Sequence, residues 1–239
     1  MKKFRILLFV ITFCVSCKSS NREYAGFKHA TKNHKTIAVL PVDLLMEGKQ
    51  PRRLNKEQIE KLQLAQGLAL QQILQKEMLD KIQLRKRPAV SIVDADKVNR
   101  KIIESGIQYA NISSTDVEIL AKTINVDAVI QTKIISTRYL SNVASYGIDL
   151  GTDILDVLKK FYSIKNVVTA PILNKVEIPD DENQNLTRTN HIIVSIKIID
   201  AKDGSVLWNE IKDFNTNWDH SFDDGMKKAI HDAIANLPY

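Results

Sequence analysis

The chain has 239 residues, of which 44% are hydrophobic and 26% charged, the balance of an ordinary globular protein large enough for one sizeable core. Its formal charge of +6 falls to +3 without Lys2, Lys3 and Arg5, and no Lys/Arg face with interleaved aromatics follows, so nothing points to nucleic-acid binding. Cys14 and Cys17 are the two cysteines, so the rest of the chain holds no disulfide framework, thiol nucleophile or cysteine metal site.

The chain opens with Lys2, Lys3 and Arg5, followed by an apolar run from Ile6 to Val15. That run is about half the length of about 20 residues needed to span a bilayer, and it reads as a secretory signal. Ser16, a small residue, stands directly before Cys17. This ending resembles the lipobox of bacterial lipoproteins, in which the cysteine thiol receives a diacylglycerol, the signal is cut before it and the new amine is acylated. The resemblance implies lipidation of Cys17, because Ser16 suits a tight cleavage pocket and Phe13, before Cys14, does not. The other reading is an ordinary secretory signal with two incidental cysteines. Each buried CH₂ contributes about 0.8 kcal/mol, so several acyl chains hold a soluble body on a membrane without a spanning segment. Lys18 in place of Asp implies, by enteric-type sorting, the outer membrane. The stretch Lys18 to Glu23 lacks the acidic cluster that accompanies surface export, which favours the periplasmic face. Three parts are expected: a signal peptide at 1–16, a lipidated tether at 17–35 and an α/β domain at 36–239, with an insertion at about 141–190. The tether is polar, and His29 and His34 within it read as solvated.

Thr36 to Val42 is β-branched and apolar and stops at Pro41, a buried first strand. Leu45 to Leu54 carries Gly48 and Pro51 and reads as a loop. Asn55 with Gln58 three residues on is a capping-box pattern, which predicts a helix to about Leu84. At about 100° per residue, Ile59, Leu62, Ala65, Ala69, Leu70 and Ile73 share one face and Leu64, Leu68, Met78, Leu79 and Ile82 another, with Gln between. Such a helix is either sandwiched within its own protein or offers a seam to a partner. The basic spot Leu84 to Pro88 then complements the helix dipole. Ala89 to Asp94 is a second strand. Asp94 or Asp96 caps a helix that Gly106 ends, and Ser113 or Ser114 caps the next, with Val117, Leu120, Ala121 and Ile124 in helical spacing and Asn125 closing it. Val126 to Leu140, His191 to Asp200 and Ser205 to Phe214 are three more strands, the last two joined as a hairpin through Asp203-Gly204. Ser221 opens a final helix with Phe222, Met226, Ala229, Ile230, Ala233 and Leu237 in one stripe. The fold expected is α/β, a single mixed five-stranded sheet with helices packed against it and a long helical insertion between the third and fourth strands.

The insertion carries Ile154, Val157, Leu158 and Phe161 as a stripe, with Asp153 and Asp156 early and Lys159 and Lys160 late, as a helix dipole prefers. This helix either packs on its own domain or contacts a partner or the lipid surface. An acidic loop around Asp180 to Asn183 closes the insertion; it lacks the spacing and glycine of a calcium loop.

The stretches "IAVLPV", "ESGI", "INVDAVIQTKI" and "IIDAKDGSVLW" stand in the order found in a group of bacterial envelope lipoproteins. This part of the chain resembles that group, which includes the curli-secretion lipoprotein and the outer-membrane activator of peptidoglycan synthases. Trp208, after a glycine-containing turn, is the most telling residue. Thr132 and Asp203 depart from the pattern, standing where the group often has Gly and Thr. The resemblance implies an anticodon-binding-like α/β domain that does no catalysis and works by anchoring, oligomerisation and protein contacts.

No H-E-x-x-H pair, Gly-rich phosphate loop or G-x-S-x-G elbow occurs, so neither metal nor cofactor is expected and no residue is nominated as catalytic. The function expected is a periplasm-facing, lipid-anchored outer-membrane protein that serves as an interaction module of an envelope complex, with a homo-oligomer among its assemblies. Two alternatives stand beside it. A curli-like secretion pore needs spanning strands of about 9–11 residues, whereas the insertion has helical periodicity and Pro171 in its best extended stretch. A peptidoglycan-synthase activator needs reach, and the tether extends to roughly 60 Å at most.

Overall fold

The strongest local signals predict helix starts and stops, and the computed structural model places them as expected. It describes residues 22–23, 26–48, 55–84, 90–138, 190–216 and 222–239. Asn55 and Gln58 exchange reciprocal 2.9 Å bonds between each side chain and the other's backbone N–H, opening the helix Lys56–Leu84. Asp94 accepts from the N–H groups of Asp96 and Lys97 to cap Ala95–Glu104, and Gly106 follows at φ 81°. Asn125 closes Val117–Ile124 in the left-handed region. That helix is capped by Asp116 and not by Ser113 or Ser114, which belong to a 3-10 turn, Tyr109–Ser114. Asp116 wins because its carboxylate reaches the N–H of Glu118 at 2.9 Å.

In chain order the strands are β1 (Arg22–Glu23), β2 (Thr36–Val39), β3 (Asp43–Gly48), β4 (Ser91–Val93), β5 (Ala128–Arg138), β6 (Asn190–Asp200) and β7 (Val206–Thr216). The helices are α1 (Phe27–Ala30), α2 (Lys56–Leu84), α3 (Ala95–Glu104), α4 (Val117–Ile124) and α5 (Phe222–Ile234). All five expected strands form, in a mixed α/β sheet with helices against it. Two more join them: β1 on β7, and β3 on β5 where a loop had been expected. The sheet runs β1-β7-β6-β5-β2-β4, with β3 beside the second half of β5. β4, β2 and β5 are parallel, and β5, β6 and β7 antiparallel. β5 and β6 pair along their full lengths, and the turn into β7 carries Gly204 at φ 70°, as the Asp-Gly signal predicts. The insertion, the stripe at 154–161 and Asp180 to Asn183 lie outside the described residues, as do Cys17 and the signal.

Period-2 alternation gives each strand two distinct faces. One face, with Ile130, Ile134, Ile192, Val194, Ile196, Ile198 and Trp208, packs against α2 and α5. The other, with Ala38, Leu40, Val129 and Ile199, packs against α3 and α4. The two-sided α2 is sandwiched within its own protein. It is buried on every side from Ala65 to Gln71, and two of its glutamines, Gln71 and Gln75, meet backbone ends that have no ladder partner. Gln71 Nε2 donates to the carbonyl of Val39 at 2.8 Å while its Oε1 accepts from Asn99. Gln75 Oε1 accepts from the N–H of Ala95, the first residue of α3, at 2.7 Å. A charged residue in those places would be buried at far greater cost than an amide whose bonds are made. Lys81, near the C-terminal end of α2, reaches the carbonyls of Ile234 and Ala235 at the end of α5, where a cation suits the helix dipole.

The folded domain starts before Thr36. Residues 26–35, expected as part of a tether, form α1, a 3-10 turn and a stretch packed on the end of the sheet. Phe27 is buried edge-on against Tyr239, with ring centres 5.4 Å apart. His29 is exposed as expected, but His34 is not: its side chain is 7% exposed. Its Nδ1 lies 2.9 Å from the Tyr239 hydroxyl and its Nε2 3.6 Å from Asp200 Oδ2. Burial, with the charges of Asp200 and Asp127, raises the Tyr239 pKa and keeps its phenol protonated. The hydroxyl can therefore donate to Nδ1, leaving Nε2–H for Asp200. Aromatic and polar contacts to the far end of the chain make an anchor of what composition alone reads as a linker.

Asp127 fastens the same corner. Its Oδ2 accepts from the N–H of Lys35 at 2.8 Å, the N–H of Thr36 at 2.9 Å and the Thr36 hydroxyl at 3.2 Å. Partial burial pushes its pKa up, but these three bonds and the nearby His34 outweigh that and hold the carboxyl below the ordinary aspartate range. A depressed folded pKa contributes stability above the unfolded value, and that contribution is lost as pH falls through the folded pKa. The stability gap between wild type and Asp127→Asn is therefore expected to be constant near neutrality and to narrow progressively below about pH 4. Urea midpoints across pH 3 to 7 check this, and a gap as wide at pH 3 as at pH 7 would refute it.

Candidate functional site

β2 and β3 form one line along the same side of β5, broken at Leu40–Val42. Val39 lies opposite Ile130 and Asp43 opposite Lys133, so four steps on one strand answer three on the other. The extra residue is a β-bulge, a place that tolerates Pro41, which has no N–H to give to a ladder. Leu40 still donates to the carbonyl of Ile130 at 2.9 Å, whereas the N–H of Val42 leaves the sheet for the carbonyl of Gly67 on α2, at 3.3 Å. Val39 and Val42 thereby both join the core beneath α2.

The bulge opens a cleft of ≈ 360 Å³ between the first half of α2 and the 3-10 turn Tyr109–Ser114. Pro41, Val42, Leu64 and Ile112 give apolar wall; Asp43, Glu57, Glu60 and Lys61 carry its charge; Gln131 and Thr132 of β5 also line it. Connectivity singles out the same spot. β2 leads through α2 on one face to β4, and β4 returns through α3 and α4 on the other face to β5. The carboxyl end of β2 lies where those crossovers diverge, the place where open α/β sheets hold ligands.

Lys61 is bound to Glu57 at 2.7 Å, and that bond and charge hold the Glu57 carboxyl below its usual range. Glu60 lies 3.8 Å from Lys56. Burial, aided by Asp96, raises the Tyr109 pKa, so its phenol stays neutral. Thr132 is fully buried, and its hydroxyl has no hydrogen-bond partner. The reciprocal Asn55–Gln58 caps occupy the N-terminal end of α2 that a phosphate would otherwise seek. The cleft thus offers hydrogen bonds and negative charge. Sequence reasoning had Pro41 as a strand stop and Thr132 as a departure from pattern; the mid-run proline was the available signal for the bulge.

A second surface lies on the sheet face that α3 and α4 cover at one end. Leu45, Ile135 and Ile193 stand side by side on β3, β5 and β6, with Ile211 on β7 diagonal to Ile193, opposite Ser195. Leu45 is 38% and Ile211 41% exposed. Lys133, Glu47 and Asp213 surround this apolar row, and His191 Nε2 lies 2.6 Å from Asp213 Oδ1. His231, at 3.0 Å from Glu77, ties α5 to α2, and His220 lies outside the described residues. Among the described residues no group of three His, Cys, Asp or Glu side chains is placed to hold a metal ion, and no helix is long and apolar enough to cross a membrane.

No family model matches the chain, and no curated protein does. Among solved structures it is similar to lipoprotein GNA1162 from Neisseria meningitidis, at 13% identity over 84% of this chain and 95% of that one, with a TM-score of 0.41. It is similar to the PelC dodecamer of Paraburkholderia phytofirmans at 9% identity, 91% and 95% coverage and a TM-score of 0.38. For the LpoB C-terminal domain of Salmonella enterica the figures are 10%, 77%, 84% and 0.33.

Proposed function

We propose that this chain is a lipid-anchored, periplasm-facing lipoprotein of the outer membrane that acts without catalysis, as a protein-interaction module of an envelope complex. Its place rests on the signal and Cys17; its action rests on one structural observation, the group Leu45, Ile135, Ile193 and Ile211 among charged residues on the part of the sheet face beyond α3 and α4. Apolar side chains grouped on an exposed face and rimmed by charge are the usual mark of a protein contact. A second copy of the chain is among the partners such a face takes.

A photo-crosslinking residue at Leu45 or Ile211, in intact cells, is expected to give a discrete adduct, with none from exposed Lys228 on α5. Loss of adducts at both positions, or equal adducts at Lys228, would overturn the reading of the face. Metabolic labelling with a palmitate analogue checks the anchor separately: labelling equal to wild type in Cys17→Ala removes it.

A further inference from the structure

We propose that the cleft at the Pro41 bulge receives a lysine or arginine side chain of a partner protein, together with the peptide group that carries it. This deepens the reading of the chain as an interaction module and rests on it.

Three observations lead there. Thr132, which lines a ≈ 360 Å³ cleft, has a fully buried hydroxyl without a partner. A buried polar group left unpaired is costly, and a ligand that satisfies it recovers that cost. The cleft occupies the crossover point at the carboxyl end of β2, where this class of sheet binds. Its charge is acidic: Asp43, Glu57 and Glu60 face one lining cation, Lys61, and its bond to Glu57 leaves Asp43 and Glu60, the latter 3.8 Å from Lys56.

These features divide the ligand into parts. An ammonium or guanidinium belongs among the carboxylates, because beside Thr132 alone it would be buried without a counter-charge. The aliphatic stem lies along Pro41, Val42, Leu64 and Ile112, as long cationic side chains do on apolar surface. The uncharged donor or acceptor that Thr132 requires is then a backbone amide of the same segment. An anion fits poorly, since the α2 N-terminus is already capped and the mouth carries carboxylates.

The test uses the full chain in detergent, methyl-labelled for NMR, with three probes: acetyl-Ala-Leu-Lys-Ala-amide, its Glu counterpart and n-butylamine. Saturable shifts of the Thr132, Leu64 and Ile112 methyl signals are expected with the Lys peptide and none with the Glu peptide. Equal shifts from both peptides, shifts elsewhere alone, or butylamine matching the Lys peptide would overturn the proposal. Thr132→Val keeps the shape and removes the hydroxyl. It is expected to weaken the Lys peptide about 2- to 10-fold, the value of one hydrogen bond, while raising Tm by a few degrees. Unchanged affinity in Thr132→Val would refute the role of the hydroxyl, and the Tm shows that the variant folds. Adducts at Leu45 and Ile211 that persist while the Lys peptide fails would bring down the cleft alone.

Discussion

Gly67→Ala is expected to destabilise the protein by about 3 kcal/mol, although helix propensity taken alone predicts the opposite sign. Gly67 lies in the middle of α2, where an exchange of glycine for alanine would ordinarily gain about 1 kcal/mol. Here an added Cβ would sit 2.3 Å from the carbonyl oxygen of Val42. That oxygen belongs to the bulge backbone and cannot rotate away like the end of a side chain. The N–H of Val42 already donates to the carbonyl of Gly67, so helix and bulge meet backbone to backbone. Relief requires α2 to withdraw, and Leu70 and Leu74 would leave their contacts in the core with it. The overpacking term is several times the propensity term, so it decides the sign. Urea unfolding followed by circular dichroism measures the difference, and a Gly67→Ala protein as stable as wild type would show that the close approach is not there. The same withdrawal would reshape the wall of the cleft, so a weaker response to the Lys peptide is expected in this variant even where it remains folded.

What could be read in advance divides by range. The capping box at Asn55, the cap at Asp94, the closing Asn125 and the turn at Gly204 are each decided by atoms within a few residues, and all four stand as expected. The α4 stripe likewise needs a period and no knowledge of the fold. β3 was missed because Gly48 and Pro51 are loop residues by local rules, and the stabilising partner lies about 90 positions away on β5. His34 was read as solvated for the same reason: its neighbours are polar in sequence, while Tyr239 and Asp200 meet it in space. The α2 glutamines are a sequence signal of buried contacts. An uncharged residue recurring inside an apolar helix marks buried amides that need partners, and Val39, Asn99 and Ala95 supply them for Gln71 and Gln75. The cleft was the least legible feature. It depends on a one-residue excess in β2–β3 over β5, which no single segment reveals.

Trp208→Ala is expected to cost about 3–5 kcal/mol, roughly a third to a half of the stability of a domain near 10 kcal/mol. Trp208 is 1% exposed and sits in the core formed by the sheet with α2 and α5. It faces Ile198 across the hairpin at a register shift, and Glu23 of β1 lies opposite on its other side. Removing the indole would leave a void where three elements converge, and two rigid strands paired on both sides have little freedom to close it. Trp208→Phe separates volume from polarity. The indole N–H is buried without a hydrogen-bond partner, so phenylalanine loses packing volume but also removes an unmet donor. Its expected cost is therefore about 1–2 kcal/mol, well under that of alanine. Equal losses in the two variants would mean that the N–H is satisfied in solution and contributes to stability. A small loss in Trp208→Ala would mean that the hairpin repacks, and that the α5 side of the core is far softer than its burial implies.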